Sequence, residues 1–230
     1  MLTACTHRTP VFLLSLAELI YKMTTQQHIK NILFDLGGVI LDIDVQATLK
    51  MFYELGFPPR LLQYPMNMTT DLFYRYETGK IDTPGFREGI REIAGVDVAD
   101  DVLDEAWNAM IVRIPGERTA LITRLSERYD LYMLSNTSPL HAPVYEQMYL
   151  QASGMTMHDA FKKIYYSYEI GCHKPDIEAW EHVIRDAGID PAETLFLDDN
   201  IHNIKASQEL GFQAIHIHER MALTDLGFDL

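Results

Sequence analysis

The sequence predicts an α/β protein whose core is a doubly wound parallel sheet, with a small all-helical cap inserted after the first strand. Two observations carry this prediction. Short apolar runs typical of buried parallel strands alternate with helical stretches over most of the chain. One long segment breaks the alternation, because its apolar residues recur only at helical spacing. At 230 residues, the chain is long enough for one core and one insert.

The first predicted strand is Asn31–Phe34, a compact apolar run that ends in Asp35 and a pair of glycines. Four later runs have the same character, at 131–134, 164–166, 194–197 and 214–217. Helical stretches are predicted at 118–128, 176–187 and 201–210, the last two ended by glycines at 188 and 211. This alternation is typical of a Rossmann-like core.

The predicted cap is the segment 45–114, which has no apolar strand-like run. Glycines and prolines at 56–59, 79 and 83–85 divide it into three to five helices. Pro115-Gly116 marks the return to the core, so the core comprises residues 29–44 and 115–230.

Residues 1–28 form a predicted amino-terminal extension. Its apolar run is too short to span a bilayer, and Glu18 and Lys22 follow without a convincing small-residue cleavage site. We expect an extra helix, or sequence upstream of a start at Met23, and a signal peptide is the alternative.

Composition excludes several classes of protein. A hydrophobic fraction of 47% and a charged fraction of 23% are ordinary for a soluble globular protein, which argues against disorder and membrane spans. The net charge of −14 argues against nucleic acid or membrane partners, because an acidic surface repels polyanions. Cys5 and Cys172 suggest no disulfide framework, so we expect a cytoplasmic protein. The oligomeric state, monomer or weak dimer, is left open.

Polar residues follow four of the apolar runs. Asp35 follows the first, Ser135-Asn136 the second, Lys174 lies after the third, and Asp198-Asp199 ends the fourth. The carboxyl ends of parallel strands meet at one edge, so these residues are expected to converge. Three carboxylates, one ammonium and one hydroxyl suit a divalent metal and a phosphate, with the first carboxylate as a nucleophile.

In this order the residues resemble the four motifs of the haloacid dehalogenase-like (HAD-like) hydrolase superfamily. The resemblance covers Ile32 to Ile217. Within the superfamily the chain is most similar to small bacterial sugar-phosphate phosphatases of the α-D-glucose-1-phosphate phosphatase type. The shared runs are Phe-Asp-Leu-Gly at 34–37, Asp-Ile-Asp at 42–44 and Leu-Ser-Asn-Thr at 134–137.

The resemblance implies a phosphatase in which Asp35 attacks phosphorus and water hydrolyses the resulting aspartyl-phosphate. A carboxylate 4 Å from one phosphate charge is repelled by about 4 kcal/mol at an effective dielectric of 20, so cations must be supplied. Lys174 is implied as one such cation. The implied donors to the phosphoryl oxygens are Ser135 and the backbone N–H groups of Leu36, Gly37 and Asn136.

The resemblance also implies a metal, and the hard oxygen ligands favour Mg²⁺. The implied ligands are Asp35, Asp199 and the carbonyl of Gly37. Asp198 is a further ligand or a support, and Asn203 is implied to reach a metal-bound water.

One position departs from the superfamily pattern. Most members carry a second aspartate two residues after the nucleophile as general acid and base, and this chain has Gly37. Asp42, Asp44 or a side chain of the cap are the candidate substitutes. The phosphatases of the resembling subgroup share the glycine, and an anomeric phosphate is a comparatively easy leaving group.

The insert lies between the first and second motifs, where the resemblance implies a cap that excludes water and selects the substrate. Side chains that are candidates to face the substrate are Tyr74, Arg75, Tyr76, Glu77 and Lys80, each weighed against an ordinary role in a helix. Histidines at 202, 216 and 218 are expected to be strand and surface residues rather than metal ligands.

The sequence therefore predicts a Mg²⁺-dependent phosphatase of a small phosphorylated metabolite, with a sugar phosphate as the expected substrate. A haloacid dehalogenase is one alternative, although it needs no metal and the Asp198-Asp199 pair argues against it. The other is a phosphate-binding or interaction protein that lost turnover when glycine came to occupy position 37.

Overall fold

The computed structural model describes residues 29–59, 62, 72–218, 223–226 and 228, so the predicted extension lies outside the described residues. Five strands form one parallel sheet: β1 Asn31–Phe34, β4 Asp130–Ser135, β5 Lys163–Tyr166, β6 Thr194–Asp198 and β7 Gln213–His216. Their order is β5-β4-β1-β6-β7. The chain moves outward from β1 to β5 and then crosses back to β6, so the sheet is doubly wound, as predicted. The switch point lies between β1 and β6.

Ten helices accompany the strands in the described part of the chain. They are α1 Val45–Glu54, α2 Leu72–Glu77, α3 Thr83–Ala94, α4 Asp100–Asn108, α5 Gly116–Leu125, α6 Ala142–Ser153, α7 Met157–Ala160, α8 Ser167–Ile170, α9 Ile177–Ala187 and α10 Ile201–Glu209. Two 3₁₀ turns lie at Pro191–Glu193 and Leu223–Asp225. None of the described helices has the length and apolar character that crossing a membrane requires.

The sheet is buried on both faces, which explains why its strands are continuous apolar runs. Ile32 and Phe34 pack into the hydrophobic cluster on one face, whereas Leu33 packs into the cluster on the other. On the second face Trp180 of α9 lies edge-on against Phe196 of β6, with ring centroids 4.6 Å apart. This packing holds the central strands, and therefore the residues at their carboxyl ends, in fixed positions.

The helices α1–α4 pack around a hydrophobic cluster of their own. It is rich in aromatic rings, and Tyr76 stacks on Phe86 with centroids 4.0 Å apart. The predicted division into core and cap stays a prediction, but the four helices in the described part of the insert fall within the three to five expected from the breakers.

One detail of the predicted all-helical insert is corrected by the structure. β2 Asp42–Ile43 pairs antiparallel with β3 Ile111–Arg113, so a strand lies inside the segment predicted to contain only helices. Arg113 Nε donates to Asp42 Oδ2 at 2.9 Å across this ribbon. The strand gave no sequence signal because it is three residues long, with Val112 and Arg113 exposed.

Buried contacts join the helical insert to the core near the end of α4. Trp107 Nε1 donates to Ser138 Oγ at 3.1 Å, and the indole stacks on the ring of His141 at 4.9 Å. His141 Nε2 donates to the Trp107 carbonyl at 3.2 Å. Burial lowers the pKa of His141, which favours the neutral ring. These contacts attach the insert directly to the loop that follows β4.

Candidate active site

Two carboxylates lie side by side at the switch point of the sheet. Asp35 directly follows β1 and Asp198 is the last residue of β6. The register pairs Phe34 with Leu197, and the N–H of Asp35 donates to the Leu197 carbonyl at 2.8 Å. The pairing of neighbouring parallel strands therefore brings together residues that are 163 positions apart in the sequence.

Lys174 joins the two carboxylates. Its ammonium donates to Asp35 Oδ1 and to Asp198 Oδ2, both at 2.7 Å, and the lysine side chain has no exposed surface. Burial opposes the charge of Lys174, but the two carboxylates outweigh that effect and raise its pKa. The site therefore holds a permanent buried positive charge between two strand ends.

Asp198 is held more firmly than the other carboxylates. The side chain of Asn203 donates through Nδ2 to both of its oxygens at 3.1 and 3.0 Å, and the N–H of Asn200 donates to Oδ1 at 2.7 Å. Asn203 Oδ1 is buried and has no hydrogen-bond partner among the described residues. This oxygen is left available to a group that the protein chain does not supply.

Asp199 adds a third carboxylate, and ligand oxygens of Asp35, Asp198 and Asp199 all lie within 4.8 Å of one another. Burial raises the pKa of Asp35 to about 7, against the opposing effect of Lys174 and with the help of Asp198. Burial and Asp198 also raise the pKa of Asp199. One ammonium does not neutralise three carboxylates, so the donor set fits a hard divalent cation.

The two glycines after Asp35 have different surroundings. Gly38 has a positive φ of 69°, and a β-carbon there would lie 2.2 Å from Asp199 Oδ2. A β-carbon on Gly37 would lie 3.6 Å from Ile43 Cδ1, an ordinary contact distance. The chain therefore requires glycine at 38 for the approach of Asp199, whereas position 37 has room for a side chain.

Ser135 and Asn136 lie at the carboxyl end of β4, beside β1. The amide of Asn136 bonds the backbone of Lys174 twice: Oδ1 accepts from its N–H and Nδ2 donates to its carbonyl, both at 2.8 Å. Leu36 opens the turn after Asp35 and its carbonyl accepts from the N–H groups of Ile40 and Leu41. The structure thus brings the predicted phosphate-binding segments to the same edge of the sheet.

Sequence reasoning missed one polar residue at this edge. His173 donates from Nε2 to Glu77 Oε2 at 2.8 Å, so a side chain of α2 reaches the residue beside Lys174. Glu77 was a predicted cap candidate, but His173 carried no signal beyond its place in the lysine motif. The other four cap candidates have different surroundings. Tyr74 donates to Asp176 at 3.1 Å, and Lys80 lies over the Tyr74 ring. Arg75 is exposed, whereas Tyr76 is buried in the hydrophobic cluster of α1–α4.

Two of the three candidate substitutes for the missing acid at Gly37, Asp42 and Asp44, are engaged in other contacts. Asp42 forms ion pairs at 2.9 Å with Arg113 and Arg118, and Asp44 caps α1 by accepting from the N–H of Gln46. Both carboxylates therefore serve local structure.

The three histidines predicted to be strand and surface residues, and Cys172, have no arrangement that indicates a catalytic or metal-binding role. His216 Nε2 donates to the Asp199 carbonyl at 2.8 Å, and His202 and His218 are exposed. Burial raises the pKa of the Cys172 thiol, which disfavours a reactive thiolate. Within the described residues, the three aspartates are the one group arranged to hold a metal ion.

A doubly wound parallel sheet with a helical insert after β1, and with carboxylates and a buried lysine at its switch point, defines an α/β hydrolytic enzyme of the phosphate-handling type. The chain matches the model of the haloacid dehalogenase-like hydrolase family over residues 29–211, and it belongs to that family.

Individual relatives agree with this assignment. A D-ribitol-5-phosphate phosphatase from Bacteroides thetaiotaomicron is 32% identical over 185 residues, which are 80% of this chain and 90% of the relative. A HAD family enzyme from the same organism, solved with magnesium and inorganic phosphate, superposes with a TM-score of 0.79 at 36% identity and covers 87% of this chain and all of its own. A predicted HAD-like hydrolase from Porphyromonas gingivalis gives a TM-score of 0.74 at 29% identity, covering 82% and 91% of the two chains.

The close approach of Gly38 to Asp199 gives the first prediction. Replacing Gly38 by alanine is expected to displace the Asp199 carboxylate and to weaken the affinity for divalent cations about 10-fold or more, a loss of about 1.4 kcal/mol. Titration calorimetry with Mg²⁺ measures it. Gly95→Ala is the matched control, since Gly95 has a similar φ of 71° and a β-carbon there meets nothing within 4 Å. Equal affinity in the two variants would contradict the geometry.

The raised pKa of Asp35 gives a second prediction, for the metal-free protein. The folded state keeps the proton on Asp35 up to about pH 7, whereas the unfolded chain releases it near the ordinary value of 3.8. The folded state therefore binds more protons between these values, and stability falls as the pH rises through this window. Urea unfolding at pH 5 and pH 8 is expected to show a loss on the order of 2–4 kcal/mol in the parent that Asp35→Asn does not share. Parallel profiles for the two proteins would refute the assignment.

Proposed function

We propose that the protein is a Mg²⁺-dependent phosphatase that hydrolyses the phosphate monoester of a small metabolite through an aspartyl-phosphate on Asp35. The observation that carries this proposal is the buried ammonium of Lys174 shared between Asp35 and Asp198, with Asp199 within ligand distance. This combination places a nucleophilic carboxylate, a fixed positive charge and a set of metal-type oxygens at one point.

Asp35 is the proposed nucleophile because it follows the central strand and accepts from Lys174 through Oδ1 only, whereas both oxygens of Asp198 accept from Asn203. The second oxygen attacks phosphorus while the bond from phosphorus to the ester oxygen breaks. Water then attacks phosphorus, the bond to Asp35 breaks, and inorganic phosphate leaves with the carboxylate restored. Lys174 keeps the orientation of Asp35 constant through both steps.

The residues that hold Mg²⁺ in this proposal are Asp35, Asp199 and the Gly37 carbonyl, with Asp198 as a further ligand or support. When bound, the ion neutralises charge on the carboxylates and the phosphoryl group. Asn203 is proposed to accept from a metal-bound water through the buried oxygen that has no other partner in the described chain. The raised pKa values of Asp35 and Asp199 support a site that gains by accepting a cation.

The proposed phosphoryl donors are the Ser135 hydroxyl and the backbone N–H groups of Leu36, Gly37 and Asn136. Donors at fixed positions stabilise charge that develops on the phosphoryl oxygens without reorganising during the reaction. The bonds of Asn136 to the Lys174 backbone support this role, because they fix the loop against the residue that neutralises the same oxygens.

The proposed substrate class is a phosphorylated sugar or sugar alcohol. Two findings support it: the D-ribitol-5-phosphate phosphatase is a relative over nine-tenths of its length, and the insert carries polar side chains to the edge of the site. Since Asp42 and Asp44 are engaged elsewhere, the leaving oxygen takes its proton from water or from a cap group in this proposal.

The dehalogenase alternative is weaker. The L-2-haloacid dehalogenase from Xanthobacter autotrophicus shares the fold at a TM-score of 0.56 and 20% identity. A cluster of three carboxylates is costly where no cation is used, which favours the phosphatase.

The third prediction tests turnover and nucleophile together. Phosphate release from a panel of sugar and polyol phosphates is expected to require Mg²⁺, to stop with EDTA, and to fall about 1000-fold or more in Asp35→Asn. Asp186→Asn, which changes an exposed carboxylate paired with Lys163, is the control for the loss of one charge. A parent that binds Mg²⁺ and phosphate but hydrolyses none of the panel would instead favour the phosphate-binding alternative.

The fourth prediction concerns the missing acid. Position 37 has room for a side chain, so Gly37→Asp is expected to supply a proton donor. It should raise kcat about 10-fold for phosphate esters whose alcohol is a poor leaving group, and raise kcat less for p-nitrophenyl phosphate. Gly37→Asn has the same shape and no transferable proton. An equal gain in both variants, or a gain independent of the leaving group, would show that proton supply does not limit the parent.

A further inference from the structure

A short chain of hydrogen bonds crosses from the cap to the core beside the proposed phosphate-binding loop. Glu77 Oε2 in α2 accepts from His173 Nε2 at 2.8 Å, and His173 Nδ1 lies 3.0 Å from Asn136 Nδ2. The side chains of His173 and Glu77 are 23% and 22% exposed, so water weakens these bonds only in part. The chain ends one residue from Ser135 and one residue from Lys174.

The amide of Asn136 fixes the direction of these bonds. Because its Oδ1 accepts from the N–H of Lys174, the other end of the amide must be the NH₂ group. One of its hydrogens goes to the Lys174 carbonyl, and the second points to His173. His173 Nδ1 must therefore accept, and the ring proton lies on Nε2, from which it is donated to the carboxylate of Glu77.

We propose that His173 is a positioning residue: Glu77 of the cap holds it in the tautomer that accepts from Asn136, so that cap position and the phosphate-binding loop form one unit. This proposal rests on the proposed function, since it concerns the loop that is assigned to the phosphate. When the cap withdraws Glu77, His173 loses the partner that orients it, and the Asn136 amide loses its third fixed partner. Phosphate then binds to a smaller competent fraction of molecules.

A second contact determines which part of the cap can withdraw. Trp107 donates to Ser138 and stacks on His141, and all three residues are buried. Opening this contact would expose buried polar and aromatic groups, whereas the bond between Glu77 and His173 is partly exposed already. The cap is therefore attached firmly at α4. At α2 its bonds to the core, from Glu77 to His173 and from Tyr74 to Asp176, are partly or fully exposed and can open more easily.

Two substitutions of His173 separate its two bonds. His173→Gln keeps an amide N–H at the reach of Glu77 but has no acceptor at the position of Nδ1. His173→Asn places an amide oxygen near Nδ1 but is too short to reach Glu77. Titration calorimetry with inorganic phosphate in the presence of Mg²⁺ measures the phosphate affinity of the loop without requiring turnover. Both variants are expected to lose about 3- to 10-fold in affinity, the effect of one hydrogen bond.

Substitutions in the cap complete the test. Glu77→Ala is expected to weaken phosphate binding like His173→Asn, and Glu77→Gln, which still accepts a hydrogen bond, to retain most of the affinity. The double variant Glu77→Ala with His173→Gln is expected to bind phosphate as tightly as whichever single variant binds it less tightly, because the two residues act as a unit. Glu88→Gln removes the same charge from an exposed cap position paired with Arg91 and is expected to bind phosphate as the parent does.

Variants that lower the melting temperature but bind phosphate with parental affinity would overturn the proposal and reduce His173 to a structural contact. Additive losses in the double variant would also overturn it. Failure of the proposed function looks different, since a parent that binds phosphate but hydrolyses no phosphomonoester leaves the coupling intact. A parent that binds no phosphate overturns both.

Discussion

The placement of Lys174 constrains the whole site. An ammonium with no exposed surface is stable only beside anionic partners, and these come from the ends of two strands, Asp35 after β1 and Asp198 on β6. The two strands must keep their register for both 2.7 Å contacts to form. The loop that carries Lys174 must in turn be fixed, which the amide of Asn136 achieves through the lysine backbone. Sheet pairing, loop contacts and charge placement therefore depend on one another.

The same cluster links stability to function. Three carboxylates share one ammonium, and burial raises the pKa of Asp35 to about 7 and that of Asp199 above its usual value. This excess of negative charge works against the metal-free fold, and it is also what attracts a divalent cation. In the proposed function a phosphate brings further negative charge, which the cation and Lys174 together offset. The acidic chain would then capture an anion through local positive charge.

The sequence revealed most of the core because burial on both faces leaves an unmistakable run, as at Asn31–Phe34. It revealed the converging site residues because each follows such a run. It did not reveal β3, whose three residues are mostly exposed, or α6, whose buried positions Ala142, Tyr145 and Tyr149 are diluted by polar neighbours. The bond between Glu77 and His173 could not be predicted from the sequence either. It joins residues 96 positions apart, and it depends on how the cap lies on the core.

Asp35 is the residue proposed to carry the phosphoryl group during turnover. The direct test starts from a sugar phosphate that the protein hydrolyses. The reaction with Mg²⁺ is stopped by acid within the first catalytic cycle, and the peptides of the protein are then analysed by mass spectrometry. We expect the mass of one phosphoryl group on the peptide that contains Asp35, and no such mass when EDTA is present from the start. Full hydrolysis with no phosphorylated peptide at any time point, or a phosphoryl group on another residue, would contradict the proposal.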